Sequence, residues 1–297
     1  MPPTLWAARW AARPDISARS VLVTIFGDTV VPVTSSLWLA QLFTLTDVFG
    51  FNRRLVRTSM FRLAAEGWLT NERVGRQSRY HLTPLAIEES EQAAKRIYSM
   101  QVSPWSGTWT LAVLDGPTAS DEQWRNLADH LGWHGFINLG PGLLASAETT
   151  ADRVKDLCAV IEPKVRVPLA AATFADLDDL VEDGFFASAF NLDELAEAYQ
   201  GFLTRHSAVL EDDSFSNSVD PMTAFATRTM LIHDLRRIRL PTIDIPPELL
   251  PSPWIGHEAL TKTAAAYHAL SATAAPLLSE LFETDYPAVP PDRFTHA

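Results

Sequence analysis

The stretch NRRLVRTSMFRLAAEG, Asn52 to Gly67, constrains the fold more than any other part of the chain. Asn52 is a good helix N-cap, no glycine or proline interrupts the residues after it, and Gly67 suits the position just past a helix end. At helical spacing Val56, Ser59, Met60 and Leu63 share one side, whereas Arg54, Arg57 and Thr58 share the other, with Arg62 at its flank. The segment therefore predicts a helix with an apolar back and an arginine front. Phe61 falls on the front and breaks the pattern, and is expected to pack against whatever lies beside the helix.

The neighbouring segments narrow the choice of fold. WLTNERV and QSRYHLT read as two short strands around Gly75-Arg76, with Arg73, Arg76 and Arg79 at or near the tip. Upstream, SARSVLVTIFGD and SSLWLAQLFTLTDVFG read as two further amphipathic helices, the second capped by Ser35 or Ser36. The order helix, helix, arginine-faced helix, basic hairpin predicts a winged helix-turn-helix over residues 15–96. A helix fits the major groove of duplex DNA, where arginine makes bidentate contacts to guanine. A basic hairpin suits phosphates or the minor groove. The candidate DNA-binding residues are Asn52, Arg53, Arg54, Arg57, Thr58, Arg62, Arg73, Arg76, Gln77 and Arg79. Arg54, Arg57 and Thr58 are expected at base edges. Arg53, Arg62, Arg73, Arg76 and Arg79 are expected on phosphates or in the minor groove. A solvated helix face accounts for the first arginines but not for the basic hairpin that follows.

Charge supports the same division. The 297 residues carry a formal net charge of -12, yet residues 52–83 hold seven arginines against two glutamates. Residues 100–297 hold 12 Lys and Arg against 28 Asp and Glu. A basic island on an acidic body points to a polyanion-binding face. The 47% hydrophobic and 20% charged content is that of a soluble globular protein. No apolar run reaches the roughly 18 residues that span a bilayer. The start, MPPTLWAARWAARPDIS, lacks an apolar h-region, so residues 1–14 read as a flexible arm and not as a signal peptide. Cys158 is the single cysteine, which excludes an internal disulfide and a cysteine-based zinc cluster. The expected location is cytoplasmic, with no membrane partner.

Residues 97–188 predict a second domain. GTWTLAVLD reads as a strand, and Ser120 with Gln123 makes a capping box for the helix DEQWRNLADHL. GFINLGPGLLAS suggests two strands or a hairpin, TADRVKDLCAVI a helix and KVRVPLA a last strand. The order β-α-β-β-α-β matches a ferredoxin-like unit. Residues 189–297 read as a helical C-terminal domain, in which Asp220-Pro221 starts a long helix. Its alanine-rich faces suggest packing within the subunit or across a dimer. The fold class expected is thus α+β and multidomain. DLDDLVEDG reads as a solvated acidic helix, and His130 and His134 as structural histidines despite their i, i+4 spacing. No nucleophile elbow, phosphate-binding glycine loop or HExxH is present. No catalytic residue, metal site or cofactor is expected.

SARSVLVTIFGD, FGFNRRLVRTSMFRLAAEGWL and GRQSRYHLT resemble the N-terminal domain of the PaaX-type repressors of phenylacetate-degradation operons. TRTMLIHDLRRIRL and PPELLPSPWIG extend the resemblance toward the C-terminus, so it covers most of the chain, more weakly in the middle. The resemblance implies a homodimeric repressor that binds double-stranded operator DNA. It implies three regions: a winged-helix head, a ferredoxin-like middle related to small CRISPR-associated endoribonucleases, and a helical, dimerising C-terminal part. It also implies release by an aryl-acyl coenzyme A thioester such as phenylacetyl-CoA. An activator or dual regulator answering to another ligand is the alternative. Arg236, Arg237 and Arg239 then read as an anion site for coenzyme A phosphates, or as cations at a helix C-terminus. His233 and Trp254 are candidates to line an aryl pocket, or core. Asp115 stands where the related nucleases carry a metal-binding carboxylate, but suits the turn before Gly116-Pro117 equally. A metal-dependent nuclease therefore remains a competing class. A protein scaffold with an acidic body is a third, and the basic island argues against it.

Overall fold

The computed structural model describes residues 3–100, 105–114, 120–132, 134–147, 149–159, 167–212, 214–242 and 245–294. The chain divides into two units, and the division does not follow chain order. Residues 1–100, 200–240 and 257–297 form the first, and residues 101–199 and 241–256 the second.

In the first unit, α1 (Pro3–Ala11) precedes α2 (Ala18–Ile25), which passes into a π-helical turn over Phe26–Val30. Then come β1 (Ser36–Trp38), α3 (Leu39–Asp47), α4 (Arg53–Ala65), β2 (Leu69–Val74), β3 (Gln77–Leu82) and α5 (Pro84–Tyr98). Side-chain caps set the helix starts. Ser17 Oγ accepts from the Ser20 amide at 3.1 Å, and Thr83 Oγ1 from the Ala86 amide at 3.2 Å. Two expectations fail here. The arm expected over residues 1–14 is helical from Pro3 to Ala11, and Trp10 and Ala11 are buried. The Trp10 ring packs against Phe49 and edge-on against His233, so its large apolar surface holds the segment down. The helix expected from Ser35 or Ser36 begins only at Leu39. Ser36–Trp38 is a strand because β3 offers it a partner, with Leu37 opposite Tyr80.

The second unit contains β4 (Trp109–Val113), α6 (Asp121–Gly132), β5 (Ile137–Gly140), β6 (Leu143–Ser146), α7 (Ala151–Ala159) and β7 (Leu169–Ala172). Two short helices follow, α8 (Leu177–Glu182) and α9 (Phe185–Ala189). The sheet order is β5-β6-β4-β7, and every neighbouring pair is antiparallel. Strand alternation sends Ala112 to a core with Trp124, Leu127 and Val154 of α6 and α7. Trp109 points to the other face and stacks on Phe186, with ring centroids 5.3 Å apart. The sheet is therefore covered on both sides. His130 and His134 stand with ring centroids 4.9 Å apart, and no third His, Cys, Asp or Glu joins them among the described residues.

Three long helices close the chain: α10 (Leu192–Leu210), α11 (Pro221–Arg239) and α12 (Ile255–Phe282). Asp220 caps α11, accepting from the Met222 and Thr223 amides at 3.0 and 3.1 Å. From Thr223 to Leu235 every residue of α11 is buried, so this helix runs through the interior of the first unit. Its polar side chains are matched there. The Arg228 guanidinium forms an ion pair with Asp28 in the π-helical turn, and Tyr98 and Tyr267 donate to Asp28 Oδ1 at 2.6 and 2.8 Å. Asp234 accepts from Trp10, Arg13 and His206 at 3.2, 3.0 and 2.9 Å. Among the described residues no helix is long and apolar enough to cross a membrane.

Candidate nucleic-acid interface

The sequence of α4 separates its two sides. Val56, Ser59, Met60 and Leu63 are buried, and Arg53, Arg54, Arg57, Thr58 and Arg62 are exposed. Asn52 Oδ1 accepts from the Leu55 amide at 2.9 Å, so this residue fixes the start of the helix. Thr58 Oγ1 donates to the Arg54 carbonyl at 3.0 Å and remains exposed. The front is not purely polar. Phe61 is 72% exposed, and no neighbouring element covers it, contrary to the sequence expectation.

Arg53 and Arg57, one helical turn apart, both lie over the Phe43 ring of α3, at 5.3 and 5.2 Å from its centroid. A guanidinium over a ring face is attracted to it while its N–H groups stay available. Phe43 therefore aligns two cations at the start of α4. Sequence reading missed this platform. Its only local signal is an aromatic residue one helix upstream.

The hairpin joins β2 to β3 through Gly75-Arg76, with Val74 opposite Gln77. Gly75 has φ +60°, a turn conformation that glycine adopts without strain. Arg73, Arg76 and Gln77 are exposed, and Arg73 Nε donates weakly to the Gly75 carbonyl at 3.4 Å. Arg79 lies farther from the tip. Its Nε donates to Ser36 Oγ at 3.0 Å and its guanidinium sits 5.3 Å from the Trp38 ring centroid, so β1 anchors it. Arg53, Arg57, Arg76 and Gln77 share one cleft of about 860 Å³ with Trp38 and Phe43. The first turn of α4 and the hairpin tip thus border a common space.

The residues grouped near the C-terminus are separated. His233 is 1% exposed, accepts or donates at Nδ1 with Thr24 Oγ1 at 3.0 Å, and is pushed down to about 4 by burial and by Arg236. It is a core residue. Arg237 pairs with Asp15, and Arg239 donates to the Arg96 carbonyl at 2.9 Å. Arg236 donates to Thr24 Oγ1 at 2.9 Å and to the Ser20 carbonyl at 3.3 Å. Trp254 belongs to the second unit, edge-on to Tyr199 with centroids 6.3 Å apart. The three arginines therefore serve three different partners. Asp115 lies outside the described residues.

Comparison with known proteins places these features in a lineage. The family model described as PaaX-like protein matches residues 17–85, which contain α4 and the hairpin. The model described as PaaX-like protein C-terminal domain matches residues 190–280. The transcriptional repressor PaaX of Escherichia coli (strain K12) is 31% identical over 286 residues, 93% of this chain and 87% of that protein. Among solved structures, the uncharacterized protein Rv0674 from Mycobacterium tuberculosis superposes with a TM-score of 0.58 at 20% identity, over 90% of this chain and 99% of that one. This likeness concerns the fold. By its family matches and its near full-length identity to the repressor, the chain belongs to the PaaX-like protein family.

Proposed function

We propose that the chain is a sequence-specific, double-stranded DNA-binding transcriptional repressor that reads its operator through α4. One observation carries the reading: α4 and the adjoining hairpin present exposed arginines around a common cleft, on a chain whose remainder is acidic. The name of the E. coli relative agrees with it. In this reading residues 15–96 are a winged helix-turn-helix head. The order of α2, α3, α4 and the β2-β3 hairpin supports that assignment. Residues 97–188 are a ferredoxin-like middle, for which the antiparallel order β5-β6-β4-β7 speaks. Residues 189–297 provide the dimerising helices, and two heads in a homodimer read a palindromic site.

Arg54, Arg57 and Thr58 contact base edges. Arg53, Arg62, Arg73, Arg76, Gln77 and Arg79 hold phosphates or enter the minor groove. The aligned pair Arg53 and Arg57 lowers the entropy lost on docking. An aryl-acyl-CoA such as phenylacetyl-CoA releases the operator of an aromatic-compound catabolic operon, by binding the released conformation more tightly than the DNA-bound one. The reading assigns the chain no catalytic chemistry of its own.

The test is fluorescence anisotropy on the DNA upstream of the chain's own gene, with phenylacetyl-CoA, free phenylacetate or coenzyme A added. Tight, salt-sensitive binding released by phenylacetyl-CoA supports the repressor and its effector. Binding indifferent to all three removes the effector. Absence of salt-sensitive binding to that DNA and to any sequence selected from the genome overturns the whole reading.

A further inference from the structure

Phe61 stands on α4 at a place that neither packing nor helix formation explains. Its side chain is 72% exposed, more than any other large apolar side chain among the described residues. An exposed helix position gains more from Ala, Leu, Lys or Glu than from Phe, so local stability does not call for the ring. Single apolar residues are common on protein surfaces, and position is what distinguishes this one. At about 100° per residue, Phe61 falls between Arg57 and Thr58 and in line with Arg54, almost opposite the buried Val56, Ser59, Met60 and Leu63. It is the centre of the front that the arginines line.

The surroundings of the ring select its partner. From Arg53 to Ala65 the helix carries four arginines and no acid, and Glu66 just beyond it pairs with Arg19. A second copy of the chain docked face to face through Phe61 brings like charges together. A polyanion meets no such repulsion. On duplex DNA the flanking guanidiniums take phosphates and guanine edges, and the ring needs an apolar group. The major groove admits a helix, and the apolar group on its base edges is the 5-methyl of thymine; the minor groove, about 6 Å wide, is too narrow for one. Thr58 strengthens the match. Its hydroxyl proton is already given to the Arg54 carbonyl, so toward a partner it offers a lone pair and a methyl group.

We infer that Phe61 is a specificity-determining residue that meets the 5-methyl group of a thymine in the operator. The inference rests on the DNA-binding reading and deepens it: the arginines supply attraction and guanine readout, and Phe61 supplies a preference for thymine that they cannot. Arg54 and Phe61 are seven residues apart in the helix, about 10 Å along its axis. The thymine therefore lies roughly three base-pair steps from the base that Arg54 reads.

Deoxyuridine differs from thymidine only by the missing 5-methyl group, so a uracil scan isolates the contact. Each thymine of the bound site (from the DNA upstream of the chain's own gene, or selected from the genome) is replaced singly. Fluorescence anisotropy then compares the native protein with Phe61→Ala. At one or more thymines, uracil is expected to weaken the native protein about fourfold, the fold-change of one methyl group withdrawn from apolar contact, and to leave Phe61→Ala unaffected. Because Phe61 is exposed and uncharged, Phe61→Ala is also expected to keep the native thermal midpoint, elution volume and salt slope. Equal effects of uracil on both proteins at every thymine, or no effect on the native protein at any, overturns the inference and leaves the repressor reading in place. A change of oligomeric state in Phe61→Ala assigns the ring to a contact between copies and overturns the inference as well. Failure to bind any DNA overturns the repressor reading and this inference together, so the two failures are told apart.

Discussion

Asp28 Oδ2 lies 3.1 Å from Arg228 Nε with neither side chain reaching solvent, an ion pair by distance though off the line of a hydrogen bond. Asp28 belongs to the π-helical turn after α2, and Arg228 to α11, 200 residues later. Five hydroxyls complete the cluster. Tyr98 and Tyr267 donate to Asp28, and Thr29, Ser271 and Tyr286 accept from Arg228 at 2.9, 3.2 and 3.4 Å. Burial alone would push the guanidinium down, and Asp28 together with Tyr286 and Tyr267 more than offsets it, so Arg228 keeps its charge. The cluster joins the turn after α2 to the helices that end the chain.

Breaking that pair from one side strands a buried charge. Arg228→Met is expected to lower the unfolding free energy by about 3–5 kcal/mol. The double variant Asp28→Leu/Arg228→Met is expected to cost less than the sum of its two single changes, because neither charge is then left alone. Urea denaturation of the four proteins measures this. Strict additivity would mean that the pair contributes nothing as a pair.

On the arginine face, Arg57→Ala is expected to weaken specific DNA binding by about 1–3 kcal/mol with the fold intact, since Arg57 is exposed and holds no core contact. Phe43→Ala removes only the ring beneath Arg53 and Arg57. It is expected to cost about 0.5–1 kcal/mol of affinity, the value of an exposed cation–π contact. Anisotropy titrations on the cognate site compare the two. An Arg57→Ala protein of unchanged affinity would move the recognition face elsewhere.

The hairpin makes a different prediction. Arg76 stands at the turn, exposed, and in the proposed reading it meets a phosphate, which carries no sequence information. Arg76→Ala is therefore expected to weaken cognate and unrelated DNA alike. The slope of log affinity against log salt should fall by about 0.9, the value of one phosphate neutralised. An unchanged slope would remove the hairpin tip from the backbone contacts.

Local pattern made α4 and the hairpin legible. Their apolar spacing, the Asn52 cap and the Gly75 turn all act within a few residues of one another. What stayed hidden depends on partners far away in the chain. Ser36–Trp38 looks like the start of a helix and becomes a strand only because β3 pairs with it. Arg236, Arg237 and Arg239 look like one cluster, but a helix turns about 100° per residue and gives each its own neighbours. No spacing rule connects Asp28 to Arg228, or Trp10 to His233, across more than 190 residues. Arg236 and Arg237 could be grouped from sequence, but not told apart until the Asp15 carboxylate beside Arg237 was located.

His233 supplies the last prediction, because its burial makes the protein sensitive to acid. Its ring is enclosed beside Thr24 and Trp10, and burial, then Arg236, hold its pKa down at about 4 against an ordinary 6.5. Below pH 6.5 the unfolded chain takes up a proton that the folded chain refuses until about pH 4. Stability from this group is thus fully present above pH 6.5 and is lost as pH falls toward 4, by about 3 kcal/mol at most. His206 is also pushed down by burial and adds to the same slope, although its bond to Asp234 works against the shift. Asp234, held at about 2, adds its own loss only below its ordinary 3.8, so the two windows separate. Thermal midpoints measured from pH 7 to pH 4 are expected to fall steadily in the native protein. His233→Gln, which keeps a polar group beside Thr24 and cannot titrate, is expected to start lower at pH 7 and to fall less steeply. Equal slopes for the two proteins would assign the acid sensitivity to His206 instead.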